Sequence, residues 1–110
     1  MIVDIEVIDA EGFRAIAQEA SEVCRGEPGT LLYEWYIDED AGRARLHEAY
    51  ESCEALDGHA EGRVFTELAP RFFEVARFVH IDFYGDMPSE RARQEPLAPR
   101  TIWGSTIAAA

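Results

Sequence analysis

Residues Glu27 to His59 decide the fold, and they read EPGTLLYEWYIDEDAGRARLHEAYESCEALDGH. After a Pro-Gly break, the aromatic-rich segment Thr30 to Asp38 is typical of a β-strand. A charged turn reverses the chain, and the segment from Arg43 to about Glu51 predicts the second strand of a hairpin. Ser52 is suited to begin a short helix that carries His59. The stretch therefore predicts a β-hairpin followed by a helix.

The hairpin sets ionisable groups among aromatic rings. A hairpin that serves only as scaffold seldom needs this mixture, although any half-buried sheet also alternates polar and aromatic residues. Loop length decides which residues face each other. A four-residue loop places Glu34 opposite His47 and Tyr36 opposite Arg45, whereas a three-residue loop places Glu34 opposite Leu46. Because a slip of one residue moves the partners to the other face, the sequence leaves both registers open.

The spacing of apolar residues predicts the strands and helices before and after this stretch. Residues Ile2 to Ile8 alternate as in a strand with one apolar face. Asp9 is a suitable N-cap for a helix whose apolar side chains recur at helical spacing until Gly26. A second helical segment follows the hairpin and the short helix, and Pro70 predicts a kink or a fresh start within it.

A fourth strand is predicted from Phe78 to Tyr84. Its alternation assigns Val79, Ile81 and Phe83 to the helix-packing face. The opposite face then carries Phe78, His80, Asp82 and Tyr84.

The C-terminal segment predicts a helix, a connector and a short strand. Pro88 is suited to open a polar helix to about Gln94, and Pro96 and Pro99 favour an extended connector. Residues Thr101 to Trp103 could add a strand.

The predicted order is β-α-β-β-α-β, the split arrangement of a ferredoxin-like α+β fold. Helices cover one face of such a sheet. The other face here is too aromatic to lie bare in water and too polar to be ordinary core. A symmetric homodimer that packs these faces together is the simplest arrangement that buries them.

Composition limits the location and the partners. A length of 110 residues with 47% hydrophobic and 29% charged residues predicts one globular domain. No run of about 18 apolar residues exists, and Ile2 to Ile8 is too short for a signal peptide core, so we expect a cytoplasmic protein. The net charge of −12 argues against nucleic acid and anionic membranes, because both are bound through Lys and Arg.

The sequence predicts neither a disulfide nor a metal site. Cys24 and Cys53 form no CxxC pair, and their predicted helix positions favour reduced, packed thiols. The three histidines form no HxH or HExxH pattern.

The hairpin and the helix after it resemble the antibiotic biosynthesis monooxygenase family of dimeric α+β barrels. The family pattern joins a Pro-Gly-led strand with Tyr-Glu, a strand ending in Glu-x-aromatic, and a helix carrying Ala-x-x-x-His. This chain matches the pattern at Pro28-Gly29, Tyr33-Glu34, Glu48-Ala49-Tyr50 and Ala55 through His59. The resemblance extends over about Ile2 to Gly85. We therefore expect a single domain over residues 1–110, with its core at about 2–85 and a C-terminal helix and extended tail at 86–110.

The resemblance implies a homodimer with a pocket in each protomer, between sheet and helices. Family oxygenases are understood to deprotonate an electron-rich, phenol-like substrate whose carbanion reduces O2 directly, without metal or cofactor. We therefore expect a monooxygenase that oxidises a small hydrophobic, aromatic or quinol-like molecule. Two alternatives stay open: an isomerase that uses the same cavity for proton transfer, and a non-enzymatic ligand-binding or stress-associated dimer.

Three residues are candidates for acid/base catalysis: His47, His80 and Glu48. Histidine titrates near neutral pH, and burial raises the pKa of a carboxyl. The alternative for either histidine is a strand side chain paired with a neighbouring carboxylate. Substrate-binding candidates are Glu34, Trp35, Tyr36, Tyr50 and His59. Rings with a polar tip suit a flat substrate, although core packing explains Trp35 equally well, and His59 could simply bond the last carbonyls of its helix.

Overall fold

The computed structural model describes residues 1–85, 100–104 and 106–110. The predicted helix from Pro88 to Gln94 and the connector at Pro96 and Pro99 lie outside these residues. The elements are β1 (Ile2–Val7), α1 (Ala10–Arg25), β2 (Thr30–Asp38), β3 (Arg43–Tyr50), α2 (Cys53–Glu61), a π-helical turn (Val64–Leu68), α3 (Ala69–Val75), β4 (Ala76–Tyr84) and β5 (Arg100–Trp103).

The strands form one sheet in the order β2-β3-β1-β4-β5. Its first four strands are antiparallel to their neighbours, and β5 runs parallel to β4. This is the ferredoxin-like α+β arrangement, so the predicted fold is confirmed. The predicted short strand at the C-terminus is confirmed as β5. Within the described residues, no helix is long and apolar enough to cross a membrane.

The hairpin adopts the register of the four-residue loop. Glu34 lies opposite His47, and Tyr36 lies opposite Arg45. Gly42 closes the turn with φ at +66°, a left-handed conformation that glycine reaches without steric cost. This register directs alternate residues of β3 toward the helices and the intervening ones away from them.

Helix α1 covers the sheet with one apolar stripe. The side chain of Asp9 accepts a hydrogen bond from the Gly12 N–H, and Gly26 ends the helix, as predicted. Its buried side chains are Phe13, Ile16, Ala17, Ala20 and Cys24. These pack on the apolar face of β1, where Val3 and Ile5 are buried.

The second helical segment restarts at the predicted place. A π-helical turn ends at Leu68, and α3 begins at Ala69 with Pro70 in its first turn. Proline is tolerated there because the first N–H groups of a helix have no partner within it. Phe72 of α3 is buried in the core below this junction.

A bulge in β4 overturns one predicted orientation. Asp4 pairs with His80 while Ile5 pairs with Phe78, so Val79 is an extra residue in the ladder. The bulge turns Phe78 toward the helices, where its ring contacts Phe72 at 6.1 Å between centroids. The prediction that Phe78 belongs to the uncovered face, and Val79 to the helix-packing face, was therefore wrong.

The two cysteines differ in their exposure to solvent. Both are free thiols, so the prediction of reduced cysteines is confirmed. Cys24 is buried in the core, whereas Cys53, at the start of α2, is exposed. The prediction of a packed thiol was right for Cys24 and wrong for Cys53.

Candidate active site

A cavity of about 240 Å³ lies between the sheet and the helices. Its floor is formed by strand residues such as Leu46 and Ile81, and its roof by α2, the π-helical turn and α3. Phe73, which lines it, is 54% exposed, so the cavity reaches the surface beside α3. The lining is largely apolar. An engineered protein cavity of about 150 Å³ binds benzene, so this one has room for an aromatic ring.

Two polar residues are buried in this apolar setting. Glu48 is 4% exposed and His59 is 2% exposed, and both line the cavity. Strand alternation in β3 points Glu48 inward together with Leu46. His59 lies in the last turn of α2, whose N-terminus is capped by Ser52. The hairpin and the short helix thus bring a carboxylate and an imidazole together.

The imidazole of His59 lies between two carboxylates. Its Nδ1 is 2.7 Å from Oε2 of Glu27, and its Nε2 is 3.5 Å from Oε1 of Glu48. The hydroxyl of Tyr50 donates a hydrogen bond of 2.6 Å to Oε1 of Glu48. Four groups from β3, α2 and the loop after α1 therefore form one connected network.

Burial governs the electrostatics of this network. Desolvation raises the pKa of Glu48, although His59 and the hydrogen bond from Tyr50 oppose the rise. Desolvation, followed by the nearby charge of Glu48, also raises the pKa of Tyr50. Tyr50 therefore stays protonated and remains a hydrogen-bond donor. Glu48 holds a proton more firmly than an exposed carboxyl does.

Aromatic rings enclose the network. Tyr33, Tyr50 and Phe65 lie within 5.5 Å of the His59 ring, measured between centroids. Trp35 stacks on Phe72 at 5.1 Å, with an angle of 21° between the planes. These faces suit a flat, apolar ligand.

Two buried polar atoms on the lining residues lack partners. Nε1 of Trp35 and Oδ1 of Asp57 are buried, and neither has a hydrogen-bond partner among the described residues. Buried polar groups are normally paired, because leaving one unpaired costs free energy. Both residues line the cavity, so a bound molecule with a donor and an acceptor could satisfy these atoms.

The predicted site residues divide between the two faces of the sheet. Glu48, Trp35, Tyr50 and His59 lie on the helix-covered side, around the cavity. His47 and Glu34 alternate with these residues along β3 and β2 and therefore point to the uncovered face. The structure does not bring His47 into the cavity with Glu48.

The uncovered face holds two polar and aromatic groups. The hydroxyl of Tyr36 donates a hydrogen bond of 2.7 Å to Oε2 of Glu34, and the Tyr36 ring lies 5.1 Å from the His47 ring, measured between centroids. His80 Nε2 is 2.9 Å from Oδ1 of Asp82. Partial desolvation acts to raise the pKa of Asp82, but its hydrogen bonds outweigh this effect and lower the pKa. His80 therefore matches the alternative predicted for it, a strand histidine paired with a neighbouring carboxylate.

Sequence reasoning missed Glu27 and Phe72 as parts of the site. Glu27 lies 32 residues from His59 along the chain, and no local pattern links the two. The only local signal is its position directly before the Pro-Gly break. Phe72 is an apolar residue on a helical stripe, and in sequence it cannot be told from ordinary core.

The chain is similar to one known family. A family model described as antibiotic biosynthesis monooxygenase matches residues 9–71. These residues run from the N-cap of α1 into α3 and include Glu27, Glu48 and His59. No curated protein sequence shows significant similarity to the chain.

Solved structures share the fold. MupZ from Pseudomonas fluorescens has a TM-score of 0.77 at 20% identity, with 99% of this chain and 90% of that chain covered. A crystal structure described as an antibiotic biosynthesis monooxygenase has a TM-score of 0.56 at 26% identity, covering 69% of this chain and 84% of that one. Rv0793 from Mycobacterium tuberculosis has a TM-score of 0.58 at 23% identity, covering 67% of this chain and 79% of that one.

The family match spans more than half of the 110 residues. It includes the hairpin and the helix that supply the buried carboxylate and imidazole. The ferredoxin-like sheet, the apolar cavity and the sequence pattern agree with it. The chain therefore belongs to the antibiotic biosynthesis monooxygenase family.

Proposed function

We propose that this protein is a cofactor-independent monooxygenase that oxidises a small hydrophobic, aromatic or quinol-like substrate with O2. The observation that carries the proposal is the carboxylate of Glu48, buried in an aromatic cavity and hydrogen-bonded by Tyr50. A buried carboxylate costs free energy, and a general base in an apolar cavity is a common reason to retain one.

The first step of the proposed reaction is proton transfer. A substrate ring lies against Trp35 and Phe72, and Glu48 takes the proton from its acidic C–H or O–H group. The hydroxyl of Tyr50 and the ring of His59 stabilise the carboxylate before the transfer. An electron-rich anion then remains in a cavity with a largely apolar lining.

The second step is the reaction with O2. The substrate carbanion supplies the electron pair that forms the new carbon–oxygen bond, which gives a peroxide. The peroxide takes up a proton, and its O–O bond breaks as the second C–H bond of the same carbon gives up its proton. One oxygen stays on the ring as a carbonyl, and the other leaves as water. The balance is R2CH2 + O2 giving R2CO + H2O, so the substrate is its own reductant.

We also propose a homodimer that packs the uncovered sheet faces together. Tyr36, Tyr84 and Trp103 are each more than half exposed on this face, which is costly to leave in water. In this dimer His47 and His80 lie at the interface, and each cavity lies within a single protomer. A cytoplasmic location and a single domain over the whole chain are part of the same proposal.

Oxygen uptake with a panel of quinols and anthrone-like phenols tests the reaction. The proposal predicts enzyme-dependent uptake, with one atom of 18O2 in the product and the other in water. The absence of enzyme-dependent uptake across the panel would contradict it. Formation of hydrogen peroxide without oxygen in the product would also contradict it.

An isomerase is the second candidate, because Glu48 and His59 together could accept a proton and return it to another position. Deuterium exchange from solvent into a substrate, without oxygen consumption, would favour this function. A non-enzymatic dimer is the third. A cavity already filled by side chains would have favoured it, whereas this cavity has room for a ring.

A further inference from the structure

We propose that Cys24, Glu27 and His59 form a binding site for a divalent metal ion of the zinc class, behind the imidazole as seen from the cavity. One thiol, one carboxylate and one imidazole are brought together here. Their ligand atoms all lie within 4.8 Å of one another. Thiolate, imidazole and carboxylate are the ligand types that Zn²⁺ takes in proteins.

The distances suit a tetrahedral ion after a small movement. Ligand atoms at ordinary zinc distances are about 3.3–3.6 Å from one another in a tetrahedron. The Sγ of Cys24 is 3.8 Å from Nδ1 of His59, close to this range. The Oε2 of Glu27 is 2.7 Å from the same nitrogen, which is the spacing of a hydrogen bond. An ion would replace that hydrogen bond and separate the two atoms by about half an ångström.

The charges and the burial also suit a divalent ion. Cys24 is 4% exposed and the side chain of His59 is 1% exposed, whereas that of Glu27 is 17% exposed and offers a way in. The other oxygen of Glu27, Oε1, is buried and has no hydrogen-bond partner among the described residues. A thiolate and a carboxylate together neutralise a divalent cation, so the loaded site carries no net charge.

Nε2, the ring nitrogen of His59 that would not bind the ion, lies near a carboxylate, as is usual for a metal-bound histidine. It faces the Glu48 carboxylate at 3.5 Å, and Tyr50 in turn holds that carboxylate at 2.6 Å. Metal-bound histidines usually donate their free N–H to a carboxylate, which fixes the tautomer. The ion would therefore place the His59 proton on Nε2, pointing toward Glu48.

The site is separate from the cavity. Cys24 and Glu27 do not line it, so an ion on Nδ1 would have no direct contact with a molecule in the cavity. It would instead tie the C-terminal end of α1 to the last turn of α2. The sequence hides the site because its ligands are 32 and 35 residues from His59, outside any short metal motif.

Cobalt titration of the reduced, metal-free protein tests the site without any substrate, so its result does not depend on the proposed oxidation. Co²⁺ alone is the probe, because a thiolate ligand gives a sulfur-to-metal charge-transfer band in the near ultraviolet. We expect this band to saturate at one equivalent of Co²⁺ and to disappear when Zn²⁺ is added.

Cys53 provides the matched control, since it is the exposed cysteine of the same chain. The band should persist in Cys53→Ser and be lost in Cys24→Ser. Glu27→Gln keeps the thiol and should weaken Co²⁺ binding at least tenfold, and it serves as the test if Cys24→Ser does not fold. No charge-transfer band in the wild type, a band lost with Cys53 alone, or unchanged affinity in Glu27→Gln would each overturn the proposal.

Discussion

Glu48 and Glu34 lie on opposite faces of the sheet, because successive side chains of a strand point to opposite faces. Both accept a hydrogen bond from a tyrosine two residues along the same strand: Tyr50 donates to Glu48, and Tyr36 donates to Glu34. Glu48 is buried beneath the helices, whereas Glu34 is on the uncovered face. We therefore expect the same local motif to have a larger energetic effect at Glu48 than at Glu34.

Removal of the Tyr50 hydroxyl should destabilise the protein. In Tyr50→Phe, the buried Glu48 carboxylate loses its shortest hydrogen bond, which costs about 1–3 kcal/mol of the free energy of unfolding. Urea denaturation measures the change. Tyr36→Phe is the matched control and, at a protein concentration at which the chain is monomeric, should change stability far less, because in the monomer its hydroxyl and Glu34 are exposed. Equal losses in the two variants would show that burial of Glu48 does not determine its energetics.

The candidate site was predictable from single residues only in part. Aromatic and ionisable residues identified the hairpin, and the family resemblance added His59. The pairing of His59 with Glu27 was not visible, because it depends on the packing of α2 against the end of α1. In sequence His47 is a better candidate base than Glu48, and only the register shows that His47 faces away from the cavity while Glu48 faces inward.

At the scale of elements, amphipathic helices and caps were predictable, whereas the bulge was not. Helix α1 follows from its period, its cap at Asp9 and its end at Gly26. The extra residue at Val79 leaves no mark in the sequence, because Phe78 to Tyr84 alternates as an unbroken strand would. The bulge depends on long-range pairing with β1, and for this reason Phe78 was assigned to the wrong face.

Two glycines near α2 should respond in opposite directions to alanine. Gly29 has φ at +80°, and an added Cβ would lie 2.5 Å from Cβ of Ala55 in α2. Gly29→Ala should therefore destabilise the protein by at least about 1 kcal/mol. Gly58 lies within α2, and beyond its chain neighbours and the nearby helix backbone no atom lies within 4 Å of an added Cβ, so Gly58→Ala should stabilise the protein by about 0.5–1 kcal/mol.

Thermal and urea unfolding of both variants measure these effects. A stabilising Gly29→Ala would mean that the Pro-Gly break does not seat the hairpin against α2. A destabilising Gly58→Ala would mean that α2 is not helical at that position.

At the scale of the whole molecule, the uncovered face of the sheet carries a group of exposed aromatic side chains. It combines exposed Tyr36, Tyr84 and Trp103 with the His80–Asp82 pair. Tyr84 and Trp103 stack nearly parallel, with centroids 6.1 Å apart. Such a mixed aromatic patch is typical of an interface between protein chains.

We expect a dimer at micromolar concentration in sedimentation velocity. Tyr84→Glu places a charge within the aromatic patch and should weaken the association at least tenfold, because a buried, unpaired charge is costly. Glu11→Gln, on the opposite side of the molecule, is the control and should leave the association unchanged. A monomeric, well-folded wild type would contradict the dimer and the assignment of His47 and His80 to its interface.

The central claim is that the chemistry takes place around Glu48, beneath the helices, and not around the histidines of the uncovered face. The most direct measurement compares the turnover of Glu48→Gln and His47→Ala with that of the wild type, on a substrate found by oxygen uptake. We predict that Glu48→Gln loses about 10²-fold or more in turnover, since it removes the base, while His47→Ala stays close to the wild type. The reverse pattern, with a fully active Glu48→Gln and an inactive His47→Ala, would contradict the account.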